Sequence, residues 1–336
     1  MSLRDANNIT SLEQLRDVLI ETGRCTPLAT FRSLTGGVSC IVAVVRDLGD
    51  DWIVKTPLSR LDVRDTWLVD RSRGANEAAI LQLLDGELGP LRTPRLLFFD
   101  ERNVILGQEY FVGPPPTYKE LLLSGTAPST LGAELAQALS ALHHLSPPAS
   151  LAGEGPRALF DALRLDAYYR TTASRLPTVA KALDQLIDET TTAQPRALVH
   201  GDFTPKNVLV ASPRGVVVDW EVIHLGDASF DLATMTAHFA LKALRSDPSA
   251  DVEPLLTSAG DFWHHYTGPA DRRRALRHTG AVMFSRLVGK SPVEYLNGRP
   301  SRERVARIAR SALNGEFADA TELTAAVGDA AKESNQ

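Results

Sequence analysis

The chain has 336 residues, 43% of them hydrophobic and 23% charged, enough to bury a full core and to hold one large domain or two lobes. Its formal net charge of −5 excludes a nucleic-acid backbone as the main partner, because phosphate contacts need an excess of Lys and Arg. Two cysteines, Cys25 and Cys40, are too few for a disulfide framework; with no apolar core at the N-terminus and no run of about 18 apolar residues, the chain is expected in the cytoplasm with no membrane partner.

Residues 28–112 carry short β-type runs, PLATFRSL, SCIVAVVRD, DWIVKT, PRLLFFD and NVILGQEYF, split by turn pieces such as TGG and GDD, and predict an antiparallel sheet. One helix interrupts it over residues 74–85, where Glu77, Ile80, Leu81 and Leu84 fall at i, i+3, i+4 and i+7. A carboxylate on that stripe needs a partner, and Lys55 ends the apolar strand Trp52-Ile53-Val54, so each can neutralise the other. Thr35-Gly36-Gly37-Val38-Ser39 joins two strands and lets the backbone at Gly36, Gly37 and Ser39 approach a phosphate, although it lacks the GxGxxG pattern.

Pro114-Pro115-Pro116 continues neither strand nor helix and sets a lobe boundary, with an N-lobe over residues 1–113 and a C-lobe over 114–336. Beyond it the pattern is helical: Leu131, Leu135, Leu139 and Leu142 recur at heptad-like spacing, and amphipathic stretches follow near 157–192, 228–245 and 271–288. One β-type segment, 197–219, interrupts these helices. The fold class is α+β, a β-rich lobe joined to a larger helical one.

That segment, ALVHGDFTPKNVLVASPRGVVVDWE, holds His200, Asp202 and Asn207 in the pattern HxDxxxxN, followed by Asp219. Val208-Leu209-Val210 and Val216-Val217-Val218 flank Ser212-Pro213-Arg214-Gly215 and predict a hairpin that turns about residue 213. Folded there, it sets Asn207 beside Asp219. An amide oxygen and a carboxylate suit Mg²⁺, and Asp202 is left to accept a hydroxyl proton.

These residues resemble the catalytic loop and metal-binding Asp of the protein-kinase-like superfamily. HGD in place of HRD, DWE in place of DFG, and the following GDASFDLATM are similar to the aminoglycoside phosphotransferase and choline kinase branch, over about residues 28–240. The resemblance implies a bilobal fold, ATP or GTP with Mg²⁺ as cofactors, and a small-molecule hydroxyl as acceptor. It implies that Lys55, paired with Glu77, meets the α- and β-phosphates, and that the Glu109 carbonyl and Phe111 amide bond the adenine edge. Asp231 would anchor the catalytic-loop backbone, His200 would be structural, and Glu221 would be either a second metal ligand or a salt-bridged residue.

For the acceptor, DFWHHYTG at 261–268 offers Trp263 and Tyr266 as a stacking platform, core packing being the alternative, while Asp227, Asp251, Glu253 and Asp261 are acids able to grip amines. Arg272-Arg273-Arg274 reads as a solvated helix face. The acceptor expected is a hydroxyl of a sugar-bearing antibiotic of aminoglycoside or nucleoside type, phosphorylated as a resistance mechanism; a metabolic alcohol such as choline, methylthioribose or homoserine is the alternative. An inactive nucleotide-binding module is disfavoured because Lys55, Asp202, Asn207 and Asp219 are all present.

Overall fold

A computed structural model gives the protein's structure over residues 9–34, 39–59, 70–113, 115–245, 251–296 and 298–333. The first element is a helix, α1 (Leu12–Glu21), whose N-terminus is capped by the Ser11 hydroxyl accepting from the Gln14 N–H. It lies outside the elements expected from the strand runs. The strands follow: β1 (Thr30–Ser33), β2 (Cys40–Asp47) and β3 (Asp50–Pro57). After α2 (Arg73–Leu84) come the short strands β4 (Glu87–Leu88) and β5 (Leu91–Arg92), then β6 (Leu96–Asp100) and β7 (Ile105–Glu109).

The order β1-β2-β3-β7-β6 makes an antiparallel five-stranded sheet. The β2–β3 turn is Leu48-Gly49, not the GDD expected, and both residues have positive φ, as a tight two-residue hairpin with right-handed strand twist requires. Trp52 and Val54 pack with Leu15 and Leu19 of α1 in one apolar cluster. By strand alternation Lys55 then faces the opposite side, where α2 lies.

The C-lobe begins with α3 (Tyr118–Ser124) and α4 (Leu131–His144), the latter burying Leu131, Leu135, Leu139 and Leu142. Next are α5 (Ala149–Ala152) and α6 (Glu154–Phe160), which runs through a π-helical stretch, Asp161–Arg170, into α7 (Thr171–Arg175), and then α8 (Ala180–Thr192). The β-type segment resolves into β8 (Ala197–Val199), β9 (Val208–Leu209), β10 (Val216–Val217) and β11 (His224–Gly226). Helices α9 (Ser229–Ala243), α10 (Glu253–His265), α11 (Arg272–Val288), α12 (Arg299–Leu313) and α13 (Ala320–Lys332) complete the chain. Every residue of α9 is buried, so this helix is the axis of the lobe.

Two details position the site. The hairpin pairs Val216 with Leu209 and Val217 with Val208, which centres the turn between 212 and 213 rather than on 213. Val218 therefore stands opposite Asn207, donating its N–H to the Asn207 carbonyl at 2.9 Å, and Asp219 comes one residue later with φ of +69°. That left-handed conformation is rare for a residue with a side chain. In addition, β10 pairs in parallel with β5 through Val216 and Arg92, so the four-stranded sheet β4-β5-β10-β9 joins residues from both sides of the Pro-rich connector. Among the described residues no helix is long and apolar enough to cross a membrane.

Candidate active site

The HGD turn leaves β8 with Gly201 at φ of +76°, and a Cβ there would stand 2.9 Å from the Val222 carbonyl oxygen, so glycine is required between His200 and Asp202. Asp231, in the first turn of α9, accepts from the His200 and Gly201 N–H groups at 2.6 and 2.9 Å. Behind Asp231 stands His143, its Nε2 at 3.4 Å from the carboxylate and its Nδ1 at 2.7 Å from the Tyr266 hydroxyl. Because the Asp231 carboxylate only accepts, Nε2 carries the proton toward it, and the neutral ring then takes the Tyr266 hydroxyl proton at Nδ1 while that oxygen accepts from the Ala270 N–H at 3.2 Å. His200 closes the turn from the other side: Nδ1 accepts from the Asp202 N–H and Nε2 donates to the Val218 carbonyl, both at 3.2 Å. Burial holds its pKa below the ordinary value, so the ring is a neutral tie between the catalytic turn and the hairpin.

Asp202 is buried, and its Oδ2 takes Lys206 Nζ at 2.8 Å, Arg164 at 3.3 Å and the Asn207 Nδ2–H at 3.0 Å. Its Oδ1 is buried with no partner. Burial alone would raise this carboxyl, but Lys206, Arg164 and Arg286 outweigh it and hold Asp202 far below the usual carboxylate range. Lys206 sits inside the FTPKN stretch, four residues after Asp202, and that spacing was its signal in the sequence. Arg164 lies in the π-helical stretch, where no motif marks it.

On the nucleotide side, Lys55 Nζ is 2.8 Å from Glu77 Oε2 and 2.7 Å from Asp219 Oδ1. The first contact is an ion pair without hydrogen-bond alignment. Desolvation would lower Lys55, yet Asp219 and Glu77 raise it well above its ordinary value; Asp219 in turn, despite burial, is held at about 2 by Lys55 and Lys206. Glu221 is salt-bridged: its Oε2 accepts from the fully buried Arg73 at 3.1 Å and from the Cys40 thiol at 3.3 Å. Arg73 also donates to the carbonyls of Ser39 and Leu58 at 2.6 Å each, which ties the end of the β1–β2 connection to α2. Gly36 and Gly37 lie outside the described residues. Glu109 ends β7 with its carboxylate 2.9 Å from Arg92, and the Phe111 ring lies under the same guanidinium at 5.2 Å, where the chain leaves the five-stranded sheet.

The residues expected at the acceptor are not gathered there. Trp263 is buried with its indole N–H on Thr236 Oγ1 at 2.8 Å, and Tyr266, equally buried, serves the Asp231 relay described above; both are core aromatics. Asp227 is engaged by Arg274 at 2.6 Å and the Ser229 N–H at 3.0 Å, and although burial would raise it, His278 and Arg274 hold it well below its ordinary range. Asp251 and Glu253 are exposed, and Asp261 is partly so. In the arginine run Arg272 and Arg273 are exposed, as expected of a solvated face, although Arg272 also donates to the Trp263 and Tyr266 carbonyls at 3.1 and 2.8 Å and Arg274 turns onto Asp227.

A family model described as the phosphotransferase enzyme family matches residues 30–274. The fold is similar to that of a choline/ethanolamine kinase family protein from Mesorhizobium loti, with a TM-score of 0.54 and 18% identity over 94% of this chain and 99% of that one. It is also similar to a spectinomycin phosphotransferase solved with ADP and spectinomycin, with a TM-score of 0.50 and 13% identity over 98% and 99% of the two chains. An N-acetylmuramate/N-acetylglucosamine kinase of Pseudomonas putida is 32% identical over 81 residues, 24% of this chain, and that match spans only 22% of the relative's length. With most of its length matched by the family model, the chain belongs to the phosphotransferase enzyme family and is a small-molecule kinase of protein-kinase-like fold.

Proposed function

We propose that the protein transfers the γ-phosphoryl group of ATP or GTP to a hydroxyl of a small molecule, with Asp202 receiving the hydroxyl and Asn207 and Asp219 holding Mg²⁺. The unpartnered Oδ1 of Asp202 carries this reading. A buried acceptor with no donor costs about 1–3 kcal/mol, and a substrate O–H supplies the missing donor.

The charge pattern fits a hard cation. Around Lys55, two buried cations, Lys55 and Arg73, pair with three carboxylates, Glu77, Asp219 and Glu221, and Lys206 also acts on Asp219, so Asp219 is held ionised and is the most exposed acid of the group. Asn207 commits its Nδ2 to Asp202, which leaves its amide oxygen as a ligand, and Asp219 spends only Oδ1 on Lys55. Bound there, Mg²⁺ would neutralise charge on the nucleotide phosphates.

Lys55, gripped by two carboxylates, presents a fixed ammonium to the phosphates. Asp202 acts mainly by alignment, because its depressed pKa makes it a weak base toward a free alcohol. A loose phosphoryl transfer needs little activation of the nucleophile. The hydroxyl proton passes to Oδ1 as the new oxygen–phosphorus bond forms and the hydroxyl becomes acidic.

This machinery serves a sugar-bearing antibiotic and a metabolic alcohol equally, and the sugar kinase matched over part of the chain supports a sugar hydroxyl. The test is to supply Mg²⁺ with ATP or GTP and screen aminoglycosides, nucleoside antibiotics, amino sugars, choline, homoserine and methylthioribose for the mass gain of one phosphate. Asp202→Ala is expected to lower kcat about 10²- to 10⁴-fold with nucleotide affinity retained. Near-normal turnover by the folded variant would remove Asp202 from its role.

A further inference from the structure

In the C-lobe, α9 and α11 carry two buried basic side chains, Lys242 and Arg286, whose donors are underused. Arg286 of α11 is buried, with one nitrogen on the Tyr168 hydroxyl at 2.8 Å, another on the Ser291 carbonyl at 3.0 Å, and its Nε buried with no partner. Lys242 of α9 is 1% exposed, and its ammonium has only a 3.4 Å approach to the His238 carbonyl and the face of Tyr295 at 5.4 Å. One turn back on the same helix face, His238 Nε2 is also buried and unpartnered, as is the Tyr295 hydroxyl. Among the described residues no carboxylate forms an ion pair with Lys242 or Arg286. The nearby Glu294 is taken by Lys119.

Arg286 is tied to the active site through Tyr168, whose hydroxyl it holds and whose ring lies under Arg164, the guanidinium 3.3 Å from Asp202; Lys242 is tied to Arg286 through the 291–295 segment, where Arg286 holds the Ser291 carbonyl and Lys242 lies over the Tyr295 ring. Arg286 acts on Asp202, and Lys242 and Arg286 both act on His238, which also feels Asp202. A second guanidinium, Arg164, lies 5.4 Å from the Tyr168 ring whose hydroxyl Arg286 holds, and its own end reaches Asp202.

We propose that the acceptor alcohol carries an anionic group, a carboxylate or a phosphate, which Arg286 and Lys242 bind while the hydroxyl reaches Oδ1 of Asp202. This rests on the phosphotransferase reading above. An anion supplies what each unpartnered donor lacks: the Nε and one terminal nitrogen of a guanidinium match two anionic oxygens, and the ammonium matches a third contact. Burial, with Lys119 and Arg286 adding to it, pushes Lys242 down to about 7, and a bound anion would raise it again. A polycationic aminoglycoside or a choline headgroup would meet like charge in the same place.

The test uses acceptors that differ in charge: glucuronate, glucose and glucosamine, then glycerate, glycerol and glycerol 3-phosphate. Each is measured for binding to the protein loaded with Mg²⁺ and nucleotide, and for phosphate transfer. The anionic members are expected to exceed their neutral counterparts by about tenfold or more, the worth of one charge-assisted contact. The glycerate and glycerol 3-phosphate arms separate carboxylate from phosphate. Lys242→Met and Arg286→Gln are each expected to erase about tenfold of that preference while leaving the KM for ATP unchanged, and Lys242→Met keeps side-chain volume should the arginine variant misfold. Preference for glucose or glucosamine, an anion preference that survives both substitutions, or no binding of any anion by nucleotide-loaded protein would each overturn the proposal and leave the phosphotransferase reading standing. Failure to bind Mg²⁺ and nucleotide would overturn that reading instead.

Discussion

Replacing Lys242 by Met should make the protein more stable, and by an amount that depends on pH. The folded state holds this ammonium at about 7 against an ordinary 10.5, burial being the main cause. Below pH 10.5 the unfolded chain takes up a proton that the folded chain refuses until pH 7, so stability is lost as pH falls through that window and is flat beneath it. At about 1.36 kcal/mol per pKa unit, the gross penalty is about 4 kcal/mol at pH 7 and about 1 kcal/mol at pH 9.5. Met restores a neutral chain of similar length but forgoes the contact with Tyr295, worth about 0.5–2 kcal/mol. The net gain expected at pH 7 is therefore about 2–3 kcal/mol, shrinking toward zero by pH 9.5. Urea unfolding of both proteins, followed by tryptophan fluorescence at several pH values between these limits, measures it. A difference that does not change with pH, or a variant less stable at pH 7, would refute the argument that a neutral, unpaired lysine is buried here.

The other substitutions probe the ties around Asp202 and Asp219. Asp219→Asn is expected to abolish the effect of Mg²⁺ on nucleotide affinity and to lower kcat at least about 10²-fold, and persistence of the Mg²⁺ effect in a titration would place the ligand elsewhere. Because the Asp219 carboxyl is depressed to about 2 by Lys55 and Lys206 against the pull of burial, it stays ionised through and below its ordinary range. Once the protonation of the nucleotide phosphate at about pH 6 is subtracted by titrating free nucleotide in parallel, Mg²⁺-dependent binding should show no further fall down to about pH 4, and a residual fall between about pH 5 and 4 would count against that ion pair. Tyr266→Phe removes the donor to His143 and is expected to cost about 1–2 kcal/mol of stability. Through a loosened Asp231 it should also lower kcat a few-fold with the KM for ATP unchanged; if neither the urea midpoint nor kcat moves, the relay from Tyr266 to the HGD turn is idle.

What the sequence made legible was local and periodic. Lys55 at the end of an apolar strand and Glu77 on the apolar stripe of α2 were legible as partners, because a carboxylate on a buried stripe of period 3.6 needs a cation and the strand supplies one. The hairpin was legible as well, but its register was off by one, since a symmetric turn about 213 ignores what the backbone at Asp219 does. A residue at φ of +69° reorients its side chain, so the carboxylate reaches Lys55 from one position beyond the pairing partner of Asn207. Helix α1 has a sequence signal in Ser11 and Gln14 at capping-box spacing, but it is one turn of pattern beside the longer strand runs.

The acceptor side was illegible for a different reason. Trp263 and Tyr266 have the composition of a stacking platform and the environment of a core, and only three-dimensional packing separates those cases. Lys242, in MTAHFALKAL, reads as a lysine that carries its charge out to water from an apolar helix. The fold removes that exit by surrounding α9 on every side, so His238 and Lys242 must find partners inside the protein. A helix buried all round has little use for such groups as structure, because apolar side chains of equal volume would hold the same packing without the desolvation cost. Their presence in the core of this lobe, with donors unfilled, is accounted for when a substrate anion supplies the partner that the chain does not.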